Sequence, residues 1–128
     1  MRDPDRAQWS PDPSEVRWVE DLVAAFPVLA DLARQHVDDH GELLPHLFCG
    51  DLTRWLLASY GRADSEEHRD VVRVLAFVED SFSQRPEVQN LIAVSILENF
   101  PRSGDPNDGI RTLLGSTTSE ELESVNPS

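Results

Sequence analysis

The chain has 128 residues, of which 11 are basic and 24 acidic, giving a formal net charge of −13. This length suits one domain with a single hydrophobic core. A surface this acidic repels phosphate backbones, so we expect no nucleic-acid partner. All the basic residues are arginine, and the chain therefore lacks the lysine of Schiff-base chemistry and of a phosphate-binding P-loop.

The sequence gives no sign of a membrane or secreted protein. No apolar run approaches the roughly 18 residues of a membrane span. The first residues, MRDPDRAQWSPDP, carry charges and prolines where a secretion signal needs an apolar segment. One cysteine cannot form an internal disulfide, which agrees with a reducing compartment. We predict a cytoplasmic protein with no membrane partner and an unknown oligomeric state.

Two helices are predicted after a flexible arm at residues 1–12. Asp12 is a suitable N-cap and Pro13 a suitable first helical residue. Pro27 should interrupt the helical pattern because it has no backbone N–H. The second helix should end at Gly41, since glycine is favoured just beyond a helix C-terminus. The residues expected to face inward are Val16, Val19, Leu22, Val23, Phe26, Val28, Leu29, Leu32, Ala33 and, as a further candidate, His36.

Three more helices follow in the middle of the chain. The third should begin near Pro45 and end at Gly61, and the fourth should cover residues 65–82 with a capping box of Asp64 and Glu67. Segment 91–97, LIAVSIL, is apolar nearly all round and predicts a buried central helix. The residues expected to be buried are Leu44, Phe48, Leu52, Trp55, Leu56, Val71, Val74, Leu75, Val78, Phe82, Leu91, Ile92, Val94, Ile96 and Leu97.

The predicted fold is all-α. A short helix near Ile110 should precede a last turn capped by Thr118 and Glu121, and residues 124–128 should form a disordered tail. No segment alternates with period 2, so no sheet is expected. We predict a single domain over residues 13–123, a compact antiparallel bundle of about five helices plus a short C-terminal helix. A short solenoid of helix pairs is the alternative.

The stretch HVDDHGELLPHLFC raises the question of a metal site. His36 and His40 are four residues apart, and His46 and Cys49 are three apart on the next helix, so a tight corner could gather them around zinc. Their spacing differs from common zinc motifs, however, and Cys49 resembles a small core residue. We predict a helix–turn–helix corner without metal or cofactor. A metal-binding protein that uses residues 36–49 is the alternative.

No catalytic motif is present. The chain contains no G-x-S-x-G, H-E-x-x-H or glycine-rich phosphate loop. A nucleophile pair of Cys49 and His46 would need an activated thiol, whereas apolar surroundings raise a thiol pKa. Asp38 and Asp39 point about 100° apart on a helix and do not converge for acid–base work. We predict a protein that is not an enzyme and has no catalytic residue.

Several polar or aromatic residues have simple structural interpretations. Asp51 and Arg54 should form an ion pair, and Gly50 beside them should permit a close helix–helix approach. An exposed tryptophan at Trp9 or Trp18 would make an interface anchor. The polar residues around the fifth helix should pair with and cap neighbouring helix ends, and a polar contact patch for a partner is the alternative; they are Gln89, Asn90, Glu98 and Asn99.

Two strings, GELLPHLFCGDLTRWLL (41–57) and PEVQNLIAVSILENFP (86–101), followed by IRTLLG (110–115), resemble an uncharacterised family of small bacterial helical proteins. The resemblance covers residues 16–123, and its distinctive parts are GDLTRW and EVQNLIAVS-LEN. It implies a helical fold, a bacterial origin and a domain of unknown function. It also implies that the Cys49 position is an ordinary apolar site. It transfers no catalytic residue.

The acidity predicts a protein partner, and a basic one, because opposite charges accelerate encounter. The size and charge also resemble those of immunity proteins, which neutralise toxins. We therefore expect a non-enzymatic acidic protein-binding domain, in its specific form an immunity-type inhibitor of a basic bacterial toxin. The alternative is a helical adaptor whose acidity only keeps it soluble. The first-choice contact residues are Asp38, Asp39 and Glu42, and the second choice is the C-terminal turn with Glu120, Glu121 and Glu123.

Overall fold

A computed structural model describes residues 11–62 and 65–127. Within these ranges the chain contains six α-helices, four short 3-10 helices and no strand, so the predicted all-α fold is confirmed. The α-helices are α1 Pro13–Ala25, α2 Ala30–His40, α3 Pro45–Tyr60, α4 Glu66–Gln84, α5 Gln89–Ser95 and α6 Ser116–Val125. The 3-10 helices are Pro27–Leu29, Pro86–Val88, Leu97–Asn99 and Asp108–Leu113. Of the predicted arm, residues 1–10 lie outside the described part.

Local sequence signals set the ends of the first two helices as predicted. Asp12 Oδ1 accepts a hydrogen bond from the Ser14 N–H at 2.8 Å, and Pro13 is the first helical residue. Pro27 ends α1 and opens a 3-10 turn that leads into α2. α2 ends at Gly41, whose φ of 80° lies in the left-handed region where glycine is not strained. The chain then turns sharply into α3.

The core confirms the helical stripes, most clearly in α4. All five of its predicted inward residues are buried: Val71, Val74, Leu75, Val78 and Phe82. The predicted cap of this helix is wrong by one residue, because Ser65 is the N-cap and its Oγ accepts from the His68 N–H at 3.1 Å. Asp64, the predicted cap, lies outside the described residues.

The α5 segment is central, but one of its faces reaches solvent. Leu91, Ile92, Ile96 and Leu97 are fully buried, as predicted. Val94 is 43% exposed, so its predicted burial is wrong. The α-helix has only seven residues and is followed by a 3-10 turn. Although its residues are apolar on every side, other helices cover only part of its surface. Val28, next to Pro27, is exposed in the same way and also differs from the prediction.

Trp18 is a core residue and not an exposed anchor. Its side chain is fully buried, its Nε1 donates to Ser81 Oγ at 2.8 Å, and its ring lies 6.1 Å from that of Phe77. It is four residues before Leu22 and therefore belongs to the same inward face of α1. The side chain therefore links α1 to α4. Trp9, the other predicted anchor, lies outside the described residues.

The C-terminal helix is longer than predicted and is capped by another helix. Glu79 of α4 accepts hydrogen bonds from the N–H and hydroxyl of Thr118, at 2.8 and 2.7 Å, and from the Thr117 N–H at 3.3 Å. Thr118 is thus inside α6 and is not its predicted N-cap. Gly115 is the N-cap, and a Cβ there would lie 2.5 Å from Glu79 Cγ. Only glycine lets the carboxylate reach the helix end without a clash.

The predicted disordered tail starts at residue 124, but the last helix extends beyond this point. α6 continues to Val125, and Asn126 is 4% exposed. The Asn126 side-chain amide donates to the carbonyls of Phe100 at 2.7 Å and Leu97 at 3.2 Å. The predicted domain end at residue 123 is therefore wrong, because these bonds hold the chain against the core through Asn126.

We expect the Glu79 cap to stabilise the fold in a pH-dependent way. Burial raises the pKa of Glu79, but the hydrogen bonds from Thr118, Thr117 and Ser83 outweigh it and hold the pKa below its ordinary value of 4.5. Its contribution is therefore complete above pH 4.5 and is lost as the pH falls through the lowered pKa. Glu79→Gln should lower the free energy of unfolding at pH 7 by about 1–2 kcal/mol.

Urea unfolding of the wild type and Glu79→Gln at several pH values measures this effect. The difference between the two proteins should shrink below pH 4. The control is Asp80→Asn, which changes the exposed carboxylate next in sequence. A difference that stays constant with pH, or that the control reproduces, would rule out the cap.

Candidate functional site

The corner between α2 and α3 is held together by His36. Its ring is buried, and its Nε2 accepts a hydrogen bond from the Leu44 N–H at 3.1 Å. The proton of the neutral ring is therefore on Nδ1, which lies 3.1 Å from Asp51 Oδ2 and donates to it. This one side chain joins α2, the turn and α3. His36 acts as a structural bridge.

The other candidate metal ligands of this stretch lie in separate environments. His40 is exposed and contacts His36, with ring centroids 4.5 Å apart and the ring planes tilted by 46°. Cys49 is fully buried; burial, followed by the charge of Glu15, raises the pKa of its thiol well above the ordinary value. A thiol held protonated is a poor nucleophile and a poor ligand. In the part of the chain that the structure describes, no three His, Cys, Asp or Glu side chains are placed to hold a metal ion.

His46 forms a contact array that no sequence motif predicts. Its Nδ1 lies 2.6 Å from Ser95 Oγ, and its Nε2 lies 3.5 Å from Glu15 Oε1. Burial raises the pKa of Glu15; the charge of His46 lowers it and that of Asp12 raises it further. A sequence signal existed, because a serine inside the apolar segment 91–97 needs a hydrogen-bond partner. The array connects α1, α3 and α5.

A serine that contacts a histidine, which in turn contacts a glutamate, is the arrangement of a hydrolase catalytic triad. The surroundings of these three residues do not suit nucleophilic catalysis. Ser95 is only 6% exposed. The N–H of the following residue, Ile96, donates to Ile92 O at 3.1 Å and is not free to stabilise an oxyanion. The serine also faces Nδ1, whereas the histidine of the well-known triads takes the serine proton on Nε2. We interpret the array as a link between helices.

The other polar predictions have mixed outcomes. Asp51 and Arg54 form the predicted ion pair. Gly50 does not mediate a close helix approach, because a Cβ there would meet only Arg54 Nη1, at 3.9 Å, among the described residues. Gln89 and Asn99 bond to helix-end carbonyls as predicted, Gln89 to Phe82 O at 2.8 Å and Asn99 to Ser95 O at 2.9 Å. Asn90 and Glu98 are exposed.

The three predicted contact residues lie at the end of α2 and in the turn that follows it. Asp38, Asp39 and Glu42 are all exposed. Asp39 accepts a hydrogen bond from Gln35 at 3.0 Å, and none of the three forms an ion pair with a described residue. Five arginines do pair with carboxylates elsewhere; they are Arg34, Arg54, Arg73, Arg85 and Arg111. The corner therefore keeps its negative charge.

Two concave surfaces flank α2. The first, which we call the apolar groove, has a volume of about 330 Å³. Its lining residues are Val19, Glu20, Val23, Ala24, Ala33, Val37 and Leu43. The second, which we call the polar cleft, has a volume of about 410 Å³. Its lining residues are Leu32, Gln35, His36, Asp39, Asp51, Arg54 and Trp55.

Comparison with known proteins places this architecture in a family. Residues 19–126 match the model of the Domain of unknown function (DUF7674). The chain belongs to this family. The predicted membership of an uncharacterised domain family is thereby confirmed, and the DUF7674 match covers the groove, the cleft and the corner.

Neither the curated proteins nor the solved structures include a match to this DUF7674 domain. Across residues 11–62 and 65–127, no helix combines the length and the apolar character that crossing a bilayer requires. The family description assigns no activity to the domain.

Proposed function

We propose that this DUF7674 domain is a non-enzymatic protein-binding module with a basic partner, and that contact centres on Asp38, Asp39 and Glu42. The observation that carries the proposal is the charge of the corner, where three exposed carboxylates form no ion pair with any residue that the structure describes. Carboxylates on an exposed turn are available to a partner without any rearrangement of the core. A net charge of −13 adds long-range attraction for a basic protein.

The surroundings of the corner also suit a protein interface. Interfaces combine an apolar centre with a polar rim. Val37 is 39% exposed, precedes Asp38 and lines the apolar groove. Leu43 follows Glu42 and lines the same groove. Apolar surface thus lies directly beside the acidic residues. If the acidic residues served only to keep the protein in solution, no such apolar surface would be required next to them.

The specific form that we propose is an immunity-type inhibitor of a basic bacterial toxin in the cytoplasm. Size and charge support it: 128 residues carry 24 acidic side chains. Inhibition by blocking a cationic cleft needs carboxylates that project from the surface, and the corner provides them. A helical adaptor would use the same surface for a partner that is not a toxin, so the identity of the partner decides between the two.

Capture from a lysate of the source organism tests the proposal. The bait is the wild-type domain, and the test variant carries Asp38→Lys, Asp39→Lys and Glu42→Lys. The matched control carries Glu66→Lys, Asp80→Lys and Glu98→Lys, exposed positions on other elements that shift the net charge equally and belong to neither set of predicted contact residues. Mass spectrometry should identify a basic protein that the wild type and the control retain and the corner variant loses. Acidic partners, or equal loss in both variants, would contradict the proposal.

A further inference from the structure

We propose that the apolar groove receives the apolar face of a basic amphipathic helix from the partner. The inference rests on the proposed function and names the element that the partner supplies. Four groove residues carry it, Val19 and Val23 on α1 and Ala33 and Val37 on α2. Each pair forms one wall of the groove; Val19 is fully buried, Val23 and Ala33 are partly buried, and Val37 is exposed.

The groove is apolar and open to solvent. Six of its seven lining residues are valine, alanine or leucine, and the seventh is Glu20. Val37 is 39% exposed and Ala24 is also exposed. A concave surface lined by apolar side chains is suited to receiving apolar side chains of a partner. An apolar cavity of about 150 Å³ holds one benzene-sized group, so a groove of about 330 Å³ has room for about two.

The spacing of the walls favours a helix as the occupant. Val19 and Val23 are four residues apart on α1, and Ala33 and Val37 are four apart on α2, so each wall repeats once per helical turn. A helix that lies in the channel presents its own side chains at i and i+4 with the same repeat. Such a helix enters a groove through its apolar stripe, the mode known for amphipathic targets. The alanines leave depth for those side chains.

The charges around the groove favour a basic occupant. Glu20 lines it, while Asp38 and Glu42 are the chain neighbours of Val37 and Leu43. Among the residues in 11–62 and 65–127, no arginine lines the groove. Arg17 lines a different concave surface, and Arg34 is paired with Asp31. Lysine or arginine residues beside the apolar stripe would pair with these carboxylates. A second copy of this chain would bring two strongly acidic surfaces together, which disfavours self-association through the groove.

The probe for the test is a synthetic 18-residue helix of leucine and lysine, with leucine at i, i+3, i+4 and i+7. A peptide of the same composition with scattered leucines separates the apolar stripe from charge alone. Val37→Asp places a charge in the groove, and Val72→Asp makes the same change on α4 at a residue with similar exposure, 44% against 39%. Titration calorimetry gives Kd, and NMR shifts in the wild type locate the bound peptide.

The amphipathic peptide should shift the signals of Val23, Ala33 and Leu43. Val37→Asp should weaken its binding by about tenfold or more, and Val72→Asp by less than about twofold. Equal weakening by both variants, or shifts confined to other helices, would overturn the groove assignment. A dimer of the wild type in sedimentation experiments that Val37→Asp converts to a monomer would also overturn the groove assignment.

The same titrations separate this inference from the proposed function. If the two peptides bind equally and the corner triple variant abolishes both, the acidic corner stands and the groove fails. If the triple variant leaves the amphipathic peptide unaffected while Val37→Asp abolishes its binding, the groove stands and the acidic corner fails.

Discussion

Trp18→Ala should lower the free energy of unfolding by about 3–5 kcal/mol, as large-to-small changes at buried aromatic residues do. The side chain is fully buried, packs against Phe77 and donates to Ser81. Its removal opens a cavity between α1 and α4. Ser81 Oγ also donates to Phe77 O at 2.8 Å, so the serine keeps a partner and the loss is mainly one of packing.

Urea unfolding followed by circular dichroism measures this loss. Trp18→Phe is the control, because it keeps an aromatic ring and removes the Nε1 hydrogen bond. It should cost less, about 1–2 kcal/mol. A loss below about 1 kcal/mol for Trp18→Ala would mean that α1 does not pack on α4 as described.

Ile92→Ala should lower the free energy of unfolding by about 2–5 kcal/mol, whereas Val94→Ala should change it by less than about 0.5 kcal/mol. The two residues are two positions apart in α5. Ile92 is fully buried and Val94 is 43% exposed. Both substitutions remove aliphatic groups from the same short helix, so the contrast isolates burial from helix propensity. Similar losses from the two changes would show that the orientation of α5 is wrong.

Much of the fold could be predicted from the sequence because its signals are local. Asp12 and Gly41 mark helix ends through their own hydrogen bonding and backbone preference. The stripe of α4 follows from helical periodicity, and all five of its residues are buried. In each case the physical cause lies within one or two turns of the residue itself.

The errors arise where distant residues decide the outcome. Val94 is apolar like its neighbours, and only the placement of other helices leaves it exposed. The cap of α6 comes from Glu79, 39 residues before Thr118, so no local motif contains it. Trp18 is not an exposed anchor, because Ser81 and Phe77 of α4 contact its side chain from a distant part of the chain. Such features depend on tertiary packing, which periodicity does not specify.

The candidate site shows the same division. The Asp51–Arg54 pair is three residues apart on one helix and was predictable. His36 reaches Asp51 across 15 residues, and His46 reaches Ser95 across 49, so neither contact could be read from spacing. The exposure of the corner carboxylates could be predicted from their position at a helix end. The apolar groove could not be predicted, because its two walls belong to different helices.

The association rate with the captured partner, measured against ionic strength, tests the central claim most directly. The Debye length shortens from about 30 Å at 0.01 M salt to about 8 Å at 0.15 M. The rate of the wild type should therefore fall steeply with salt. The triple variant of Asp38, Asp39 and Glu42 should associate more slowly at low salt and depend less on salt, with a melting temperature within a few degrees of the wild type. Equal rates with equal salt dependence in the two proteins would contradict an acidic binding surface at this corner.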